Sequence, residues 1–112
     1  MGEYRRRLYS ARVEGREDLS HVEVYVYYNK EHKRLIMSSS LVRYEERRGG
    51  YTVSCIPDLV QCVRLRFVSG RLARVPSPKQ WDAVAGHNAW MAEQMAREHV
   101  AELGCEIKGV AA

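Results

Sequence analysis

The feature that most constrains the fold of this chain is a change of hydrophobic period near residue 77. From Tyr4 to Val75, apolar residues alternate with polar ones, which is the two-residue period of β-strands. Beyond this point, apolar positions recur at helical spacing for about 26 residues, on the order of 40 Å of helix. The sequence therefore predicts an α+β domain, in which an antiparallel sheet of five or six strands over residues 4–75 packs against one long C-terminal helix.

Short stretches rich in turn-forming residues separate the predicted strands. Glycine, proline, asparagine and aspartate favour tight turns, so successive strands are expected to pair as hairpins in a meander. The turns are expected at Glu14-Gly15, Asn29-Lys30-Glu31, Gly49-Gly50, Pro57-Asp58 and Ser69-Gly70. The expected strands centre on residues 9–13, 22–28, 34–44, 51–55 and 63–67, with a short sixth strand from Leu72 to Val75.

Both ends of the helical segment, residues 77–103, carry recognisable signals. Ser77 is expected to be the N-cap, with Pro78 in the first helical position and Gln80 completing a capping box. Gly104 is expected to terminate the helix. Gly86, two residues before Asn88, predicts a kink or a break inside the helix, since glycine costs about 1 kcal/mol relative to alanine. Residues 105–112 are expected to form a tail or an edge strand.

The bulk properties indicate one domain and exclude several classes of protein. A chain of 112 residues fits a single core. It has no apolar run long enough to cross a bilayer, and its charged N-terminus is unlike a secretory signal, so we expect a cytoplasmic protein with no membrane partner. The three cysteines, at positions 55, 62 and 105, are too few and too irregularly spaced for a metal site, and we expect reduced thiols.

Charge is distributed unevenly along the chain. Residues 1–74 carry 15 basic and 9 acidic side chains, whereas residues 75–112 carry 3 basic and 5 acidic ones. The predicted sheet is therefore basic and the predicted helix mildly acidic. Fourteen of the basic residues are arginines, whose planar guanidinium groups bind phosphates and carboxylates in a bidentate manner. This balance is a modest indication of a nucleic acid or another polyanion as a ligand. The alternative, which we favour, is a genome whose codon usage is biased towards arginine.

The motifs of common enzyme and cofactor sites are missing from the sequence. It contains no glycine-rich phosphate loop, GxSxG, HExxH or CxxC pattern. No nucleophile and base can be paired from sequence spacing, so no catalytic residue, metal ligand or cofactor is predicted. We expect His99 to belong to the inward face of the helix. The small side chains of Ser38 to Ser40 are expected to let the helix lie close to the sheet or to leave room for a small ligand between sheet and helix.

The candidate binding surface is a sheet face that carries aromatic and basic side chains. Tyr25 and Tyr27 lie opposite the apolar stripe of the second strand, and we expect Arg12, Arg64 and Arg66 on the same face. Bases of a single strand stack on aromatic rings while arginines pair with phosphates. The alternative is that these residues form cross-strand pairs on a solvated face that has no ligand.

Trp90 is the candidate interface residue. At 100° per residue it falls on the side of the helix opposite Trp81, Met95 and His99, so we expect it to point away from the sheet. An exposed tryptophan among small residues is typical of an interface anchor, and we therefore expect a homodimer. The alternative is that a helix break at Gly86 turns Trp90 into the core.

The order of strands followed by a helix resembles two known architectures. These are the pleckstrin-homology-like superfold, with its C-terminal capping helix, and the Whirly and PUR modules that bind single strands. The resemblance is in element order and assigns no residue. The predicted function is a small non-enzymatic binding or adaptor module. The alternatives are single-stranded nucleic-acid binding on the Tyr/Arg face, and small-molecule binding or catalysis in a cleft between sheet and helix.

Overall fold

A computed structural model describes residues 4–47, 50–55 and 63–108 of the chain. Its strands are β1 (Arg5–Glu14), β2 (His21–Asn29), β3 (Arg34–Arg47), β4 (Gly50–Cys55), β5 (Val63–Phe67) and β6 (Glu106–Ile107), and its helix is α1 (Pro78–Glu102). The predicted α+β class is confirmed: a curled antiparallel sheet comes first and one C-terminal helix follows it.

Neighbouring strands follow the order β4-β3-β2-β1-β6, and β5 also pairs with β3. The first four strands therefore form the predicted meander. The exceptional element is β3, whose 14 residues are long enough to pair with two strands along one edge. The first half of β3 pairs with β5 from Ile36 to Ser40, and the second half pairs with β4 from Val42 to Arg47. Thus β5 does not extend the meander beyond β4 but returns to β3.

The core lies between one face of the sheet and α1. The β2 residues Val22, Val24 and Val26 are fully buried there, as the alternation in the sequence predicts. Ala92 and Ala96 on α1 are also fully buried, and their small side chains let the helix backbone approach the sheet closely. A second cluster surrounds the buried Trp81 near the start of α1 and contains Val26, Tyr28 and Leu35.

The predicted helix ends are confirmed, but the predicted interruption is wrong. Ser77 and Gln80 form a reciprocal capping box, with Pro78 opening the helix, and Gly104 adopts a φ of 73° just after the C-cap. The helix runs without a break past Gly86, which lies on an exposed surface. Asn88 does not cap a new helix, because its side-chain amide donates to the carbonyl of Val84 within the existing one.

Two smaller predictions also need correction or completion. The segment from Leu72 to Val75 is not a strand, because its polar contacts run to scattered partners: the Leu72 amide donates to the Lys33 carbonyl and the Tyr28 hydroxyl donates to the Leu72 carbonyl. An edge strand does follow the helix, since β6 pairs with the end of β1. The predicted turn at Pro57-Asp58, as well as Gly49 and Cys62, lies outside the described residues. Cys105 is a buried, free thiol.

No helix within the described ranges is both long and apolar enough to cross a membrane.

Candidate functional site

The face of the sheet opposite α1 contains a depression of about 630 Å³ lined by tyrosine rings. Tyr25 and Tyr27 come from β2, and Tyr44 comes from the second half of β3. All three rings are half-buried, so each keeps part of its surface accessible. A second depression of about 360 Å³ adjoins the first, and Glu23 and Tyr44 line both. We call this surface the tyrosine face.

Strand register explains why a depression forms between the tyrosines. Residues directly opposite each other in an antiparallel pair project to the same side of the sheet. Ser38 lies opposite Tyr25, and Ser40 lies opposite Glu23. The side chains of these serines are much smaller than those of the aromatic residues around them, so the depression forms at their positions. Ser39, between them, projects to the helix side. Only Ser39 therefore lies where the helix packs, whereas the depression at Ser38 and Ser40 is on the opposite face and not in the predicted cleft between sheet and helix.

A β-bulge in β1 places arginines along the border of the tyrosine face. Arg5 and Arg7 pair in register with Tyr27 and Tyr25, and the register then shifts between Arg7 and Tyr9. The extra residue inverts the alternation, so that Arg12, five positions after Arg7, again faces the same side. All three arginines are exposed. The sequence pattern predicted this position for Arg12 but did not identify Arg5 or Arg7.

A buried carboxylate lies at the floor of the tyrosine face. Glu23 is 4% exposed. Arg7 Nη1 lies 3.3 Å from Glu23 Oε2, and Tyr44 is hydrogen-bonded to the same carboxylate. Burial raises the pKa of Tyr44 to about 12, with the hydrogen bond to Glu23 and its negative charge acting in the same direction. The Tyr44 hydroxyl therefore stays protonated at neutral pH and acts as a donor to Glu23.

His21 borders the second depression and contacts the same tyrosine. Its ring packs edge-on against Tyr44, with 4.9 Å between the ring centroids. Burial lowers the pKa of the His21 imidazole, and the positive charge of Arg12 lowers it further, while Glu23 acts in the opposite direction. His21 thus favours its neutral form in the folded protein.

The structure separates the predicted Tyr/Arg residues into two groups. Tyr25, Tyr27 and Arg12 share the tyrosine face. Arg64 and Arg66 lie opposite Ser39 and Met37 of β3, whose side chains are buried under α1, so both arginines project to the helix side. The five residues therefore do not form one surface.

Arg64 and Arg66 instead line a groove of about 470 Å³ between β5 and α1. Arg64 forms an ion pair with Glu102 at the end of the helix. Trp90, which is 72% exposed, and the half-buried Met91 and Met95 provide the apolar part of the groove. Trp90 is therefore exposed, as the helical periodicity predicts, but it borders a groove whose other wall is β5 of the sheet. We call this surface the β5–α1 groove.

A serine and a histidine meet below the β5–α1 groove, but neither is presented to solvent. Ser39 Oγ lies 2.9 Å from His99 Nδ1. Ser39 is fully buried and His99 nearly so. A nucleophile must be accessible to its substrate, so this contact joins the sheet to the helix and does not form a catalytic pair. The interpretation of His99 as a buried core residue is confirmed.

Nothing in the described ranges identifies a metal site, since no three potential ligands converge there. No family model matches the chain, and no curated protein or solved structure is significantly similar to it. Any functional conclusion therefore depends on the geometry of the chain's own side chains.

The tyrosine face also contains residues that sequence patterns did not select, namely Arg5, Arg7, Glu23, Ser38, Ser40 and Tyr44. The usable signal was the alternation along β3, which places Ser38, Ser40 and Tyr44 on one side. Their alignment with β2 depends on register, which the sequence alone does not give.

Proposed function

We propose that this protein is a small non-enzymatic binding module that holds single-stranded nucleic acid on its tyrosine face. The observation that carries the proposal is that Tyr25, Tyr27 and Tyr44 line one depression of about 630 Å³ while α1 packs on the other side of the sheet. Partly accessible rings on an extended sheet offer stacking positions for successive unpaired bases.

The charges around the tyrosines support the same ligand. Among the described side chains, those that line the two depressions include Arg5, Arg7 and Arg12 but only one carboxylate, that of Glu23. The three arginines lie along β1, and Tyr25 and Tyr27 lie along the neighbouring β2. This arrangement suits a single-stranded nucleic acid whose bases stack on the tyrosines while its phosphates lie along the arginines. The bases of a duplex are stacked inside it and cannot stack on the tyrosine rings, so a duplex is expected to bind this face more weakly.

The test is a fluorescence-polarisation titration of labelled, mixed-sequence single-stranded oligonucleotides at low and then rising salt. If the three arginines neutralise three phosphates, the logarithm of the affinity falls with the logarithm of salt at a slope of about −2. A duplex of the same sequence is the matched control and is expected to bind more weakly. Absence of binding to any single strand at low salt contradicts the proposal.

The proposal includes assembly as a cytoplasmic homodimer through the β5–α1 groove. Trp90, which is 72% exposed, presents apolar surface there, next to the half-buried Met91 and Met95. The groove also carries the exposed Arg66 on its β5 wall and the exposed Glu98 on its helix wall. In a two-fold interface each contact between two different residues occurs twice, so Arg66 and Glu98 can form two equivalent ion pairs between the copies. Charge complementarity therefore favours a second copy as the occupant.

A small molecule is the second candidate for the β5–α1 groove, since its volume of about 470 Å³ suits a ligand of that size. Binding of a second copy doubles the mass of the protein in solution, whereas binding of a small ligand leaves the mass nearly unchanged. Sedimentation velocity distinguishes the two.

A further inference from the structure

Glu23 is the least expected residue of the tyrosine face. It lies between His21 and Tyr25 on the exposed side of β2, yet it is only 4% exposed. Its register partners on either side, Ser10 and Ser40, are both small. Because Glu23 lines both depressions, a base seated in either one lies next to this carboxylate. A buried carboxylate is costly to maintain unless its acceptor positions are used.

The carboxylate of Glu23 has two identified partners in the described chain, Arg7 Nη1 and the Tyr44 hydroxyl. An ionised carboxylate offers about four acceptor positions, so these partners leave capacity for further donors. The Arg7 guanidinium and the Tyr44 hydroxyl both donate to this carboxylate and hold it in place. The group is thus a fixed acceptor on the floor of a depression walled by aromatic rings.

Base edges differ in how they can meet such an acceptor. The Watson–Crick edge of guanine presents two adjacent donors, the N1–H and the N2 amine, which match the two oxygens of one carboxylate. Adenine presents its amine beside the N1 acceptor, and cytosine presents its amine beside the N3 acceptor. Uracil and thymine flank a single N–H with two carbonyls. A buried carboxylate that faces one of these acceptors repels it, because both atoms carry negative charge and little water is present to screen the repulsion.

From these observations we infer that the tyrosine face selects guanine, with Glu23 accepting from the N1–H and the N2 amine of a base stacked on the tyrosines. This inference rests on the proposed function and specifies its ligand. A bidentate pair of this kind discriminates between bases by about 1–3 kcal/mol, or roughly 5-fold to 150-fold in affinity.

The experiment uses oligothymidine strands that carry one guanine at the centre, which prevents guanine quadruplexes. Matched strands replace that guanine with inosine, adenine or cytosine. Inosine is the decisive control, because it lacks only the N2 amine. Wild-type protein is expected to bind the guanine strand roughly 10-fold or more tightly than the adenine and cytosine strands, with inosine in between.

The variant Glu23→Gln replaces one acceptor oxygen with a donor amide and is expected to lower the ratio of guanine-strand affinity to adenine-strand affinity towards one. Glu106→Gln, an exposed carboxylate on β6, is the matched control and is expected to retain the preference. If Glu23→Gln does not fold, the base series on the wild-type protein decides the question alone.

Equal affinity of the wild-type protein for all four strands overturns the inference and leaves the proposed function intact. A guanine preference that survives in folded Glu23→Gln overturns the assignment to Glu23. Absence of binding to every strand overturns the proposed function itself.

Discussion

The guanidinium of Arg5 lies over the ring of Tyr25, with 5.0 Å between Arg5 Cζ and the ring centroid. Such a cation–π contact is worth about 0.5–1 kcal/mol at an exposed site, so it holds the ring without fixing the arginine permanently. A base that stacks on this face of Tyr25 therefore either displaces the Arg5 guanidinium or stacks on the guanidinium itself.

The separation of the arginines onto two faces gives a matched pair of variants. Arg12→Ala removes a cation from the tyrosine face, so the slope of log affinity against log salt is expected to become shallower by about 0.7, the contribution of one phosphate contact. Arg66→Ala removes an equally exposed cation from the β5–α1 groove and is expected to leave the slope unchanged. Equal effects of the two variants in the oligonucleotide titration contradict the assignment of binding to the tyrosine face.

The proposed dimer depends on Trp90. Wild-type protein is expected to sediment as a dimer, and Trp90→Ala is expected to shift it towards monomer with an unchanged fold, because the side chain is 72% exposed within one chain. Trp81→Ala is the contrasting variant. Because Trp81 is buried, its truncation is expected to lower the free energy of unfolding by about 3–5 kcal/mol. Sedimentation velocity as a function of concentration measures the association. A wild-type monomer at high concentration rules the dimer out.

The contact between Ser39 and His99 is expected to stabilise the fold and to have no part in binding. Ser39→Ala removes a partner of a buried imidazole nitrogen, which is expected to lower the free energy of unfolding by about 1–3 kcal/mol. Ser38→Ala, one position away on the other side of the sheet, is expected to change it by less than about 0.5 kcal/mol. Urea unfolding measures both. Equal losses would show that the contact contributes nothing specific.

The lowered pKa of His21 predicts a pH dependence of stability. The folded protein holds His21 neutral at pH values where the unfolded chain begins to bind a proton. The stability that this provides is complete above the unfolded pKa of about 6.5 and is lost as the pH falls through the lower folded pKa. His21→Gln is expected to flatten the stability profile in that range, whereas His87→Gln, at an exposed site, leaves it unchanged. Chemical unfolding between neutral and mildly acidic pH tests this, and identical profiles for the wild type and His21→Gln contradict it.

Local signals in the sequence predicted the helix well. The capping box of Ser77 and Gln80 depends on residues three positions apart, so neighbouring chemistry was sufficient to locate the start of α1. Gly86 was misleading because an exposed glycine costs a 25-residue helix only about 1 kcal/mol, which packing of the rest readily offsets. Because the helix is continuous, its phase is preserved and Trp90 lies where the periodicity places it.

The candidate site was only partly predictable. Alternation within β2 placed Tyr25 and Tyr27 on one side of that strand, and alternation within β1 placed Arg12 on the side opposite the buried Val13. The positions of Arg64 and Arg66 depend on which strand β5 pairs with and in which register, and alternation contains no such information. Val63, Leu65 and Phe67 had the pattern of a buried face, but β5 lies at an edge of the sheet, where Leu65 and Phe67 are exposed.

The variant Tyr25→Ala/Tyr27→Ala tests the central claim most directly. Its binding to short, mixed-sequence single strands is measured at low salt beside that of the wild type, with circular dichroism as the check on folding. Loss of two stacking positions is expected to weaken binding by about 1–3 kcal/mol per base. Trp90→Ala, which removes an exposed ring from the other side of the molecule, is expected to retain wild-type affinity per chain. Wild-type affinity in the folded double-tyrosine variant would contradict the account, as would a wild-type protein that binds no single strand.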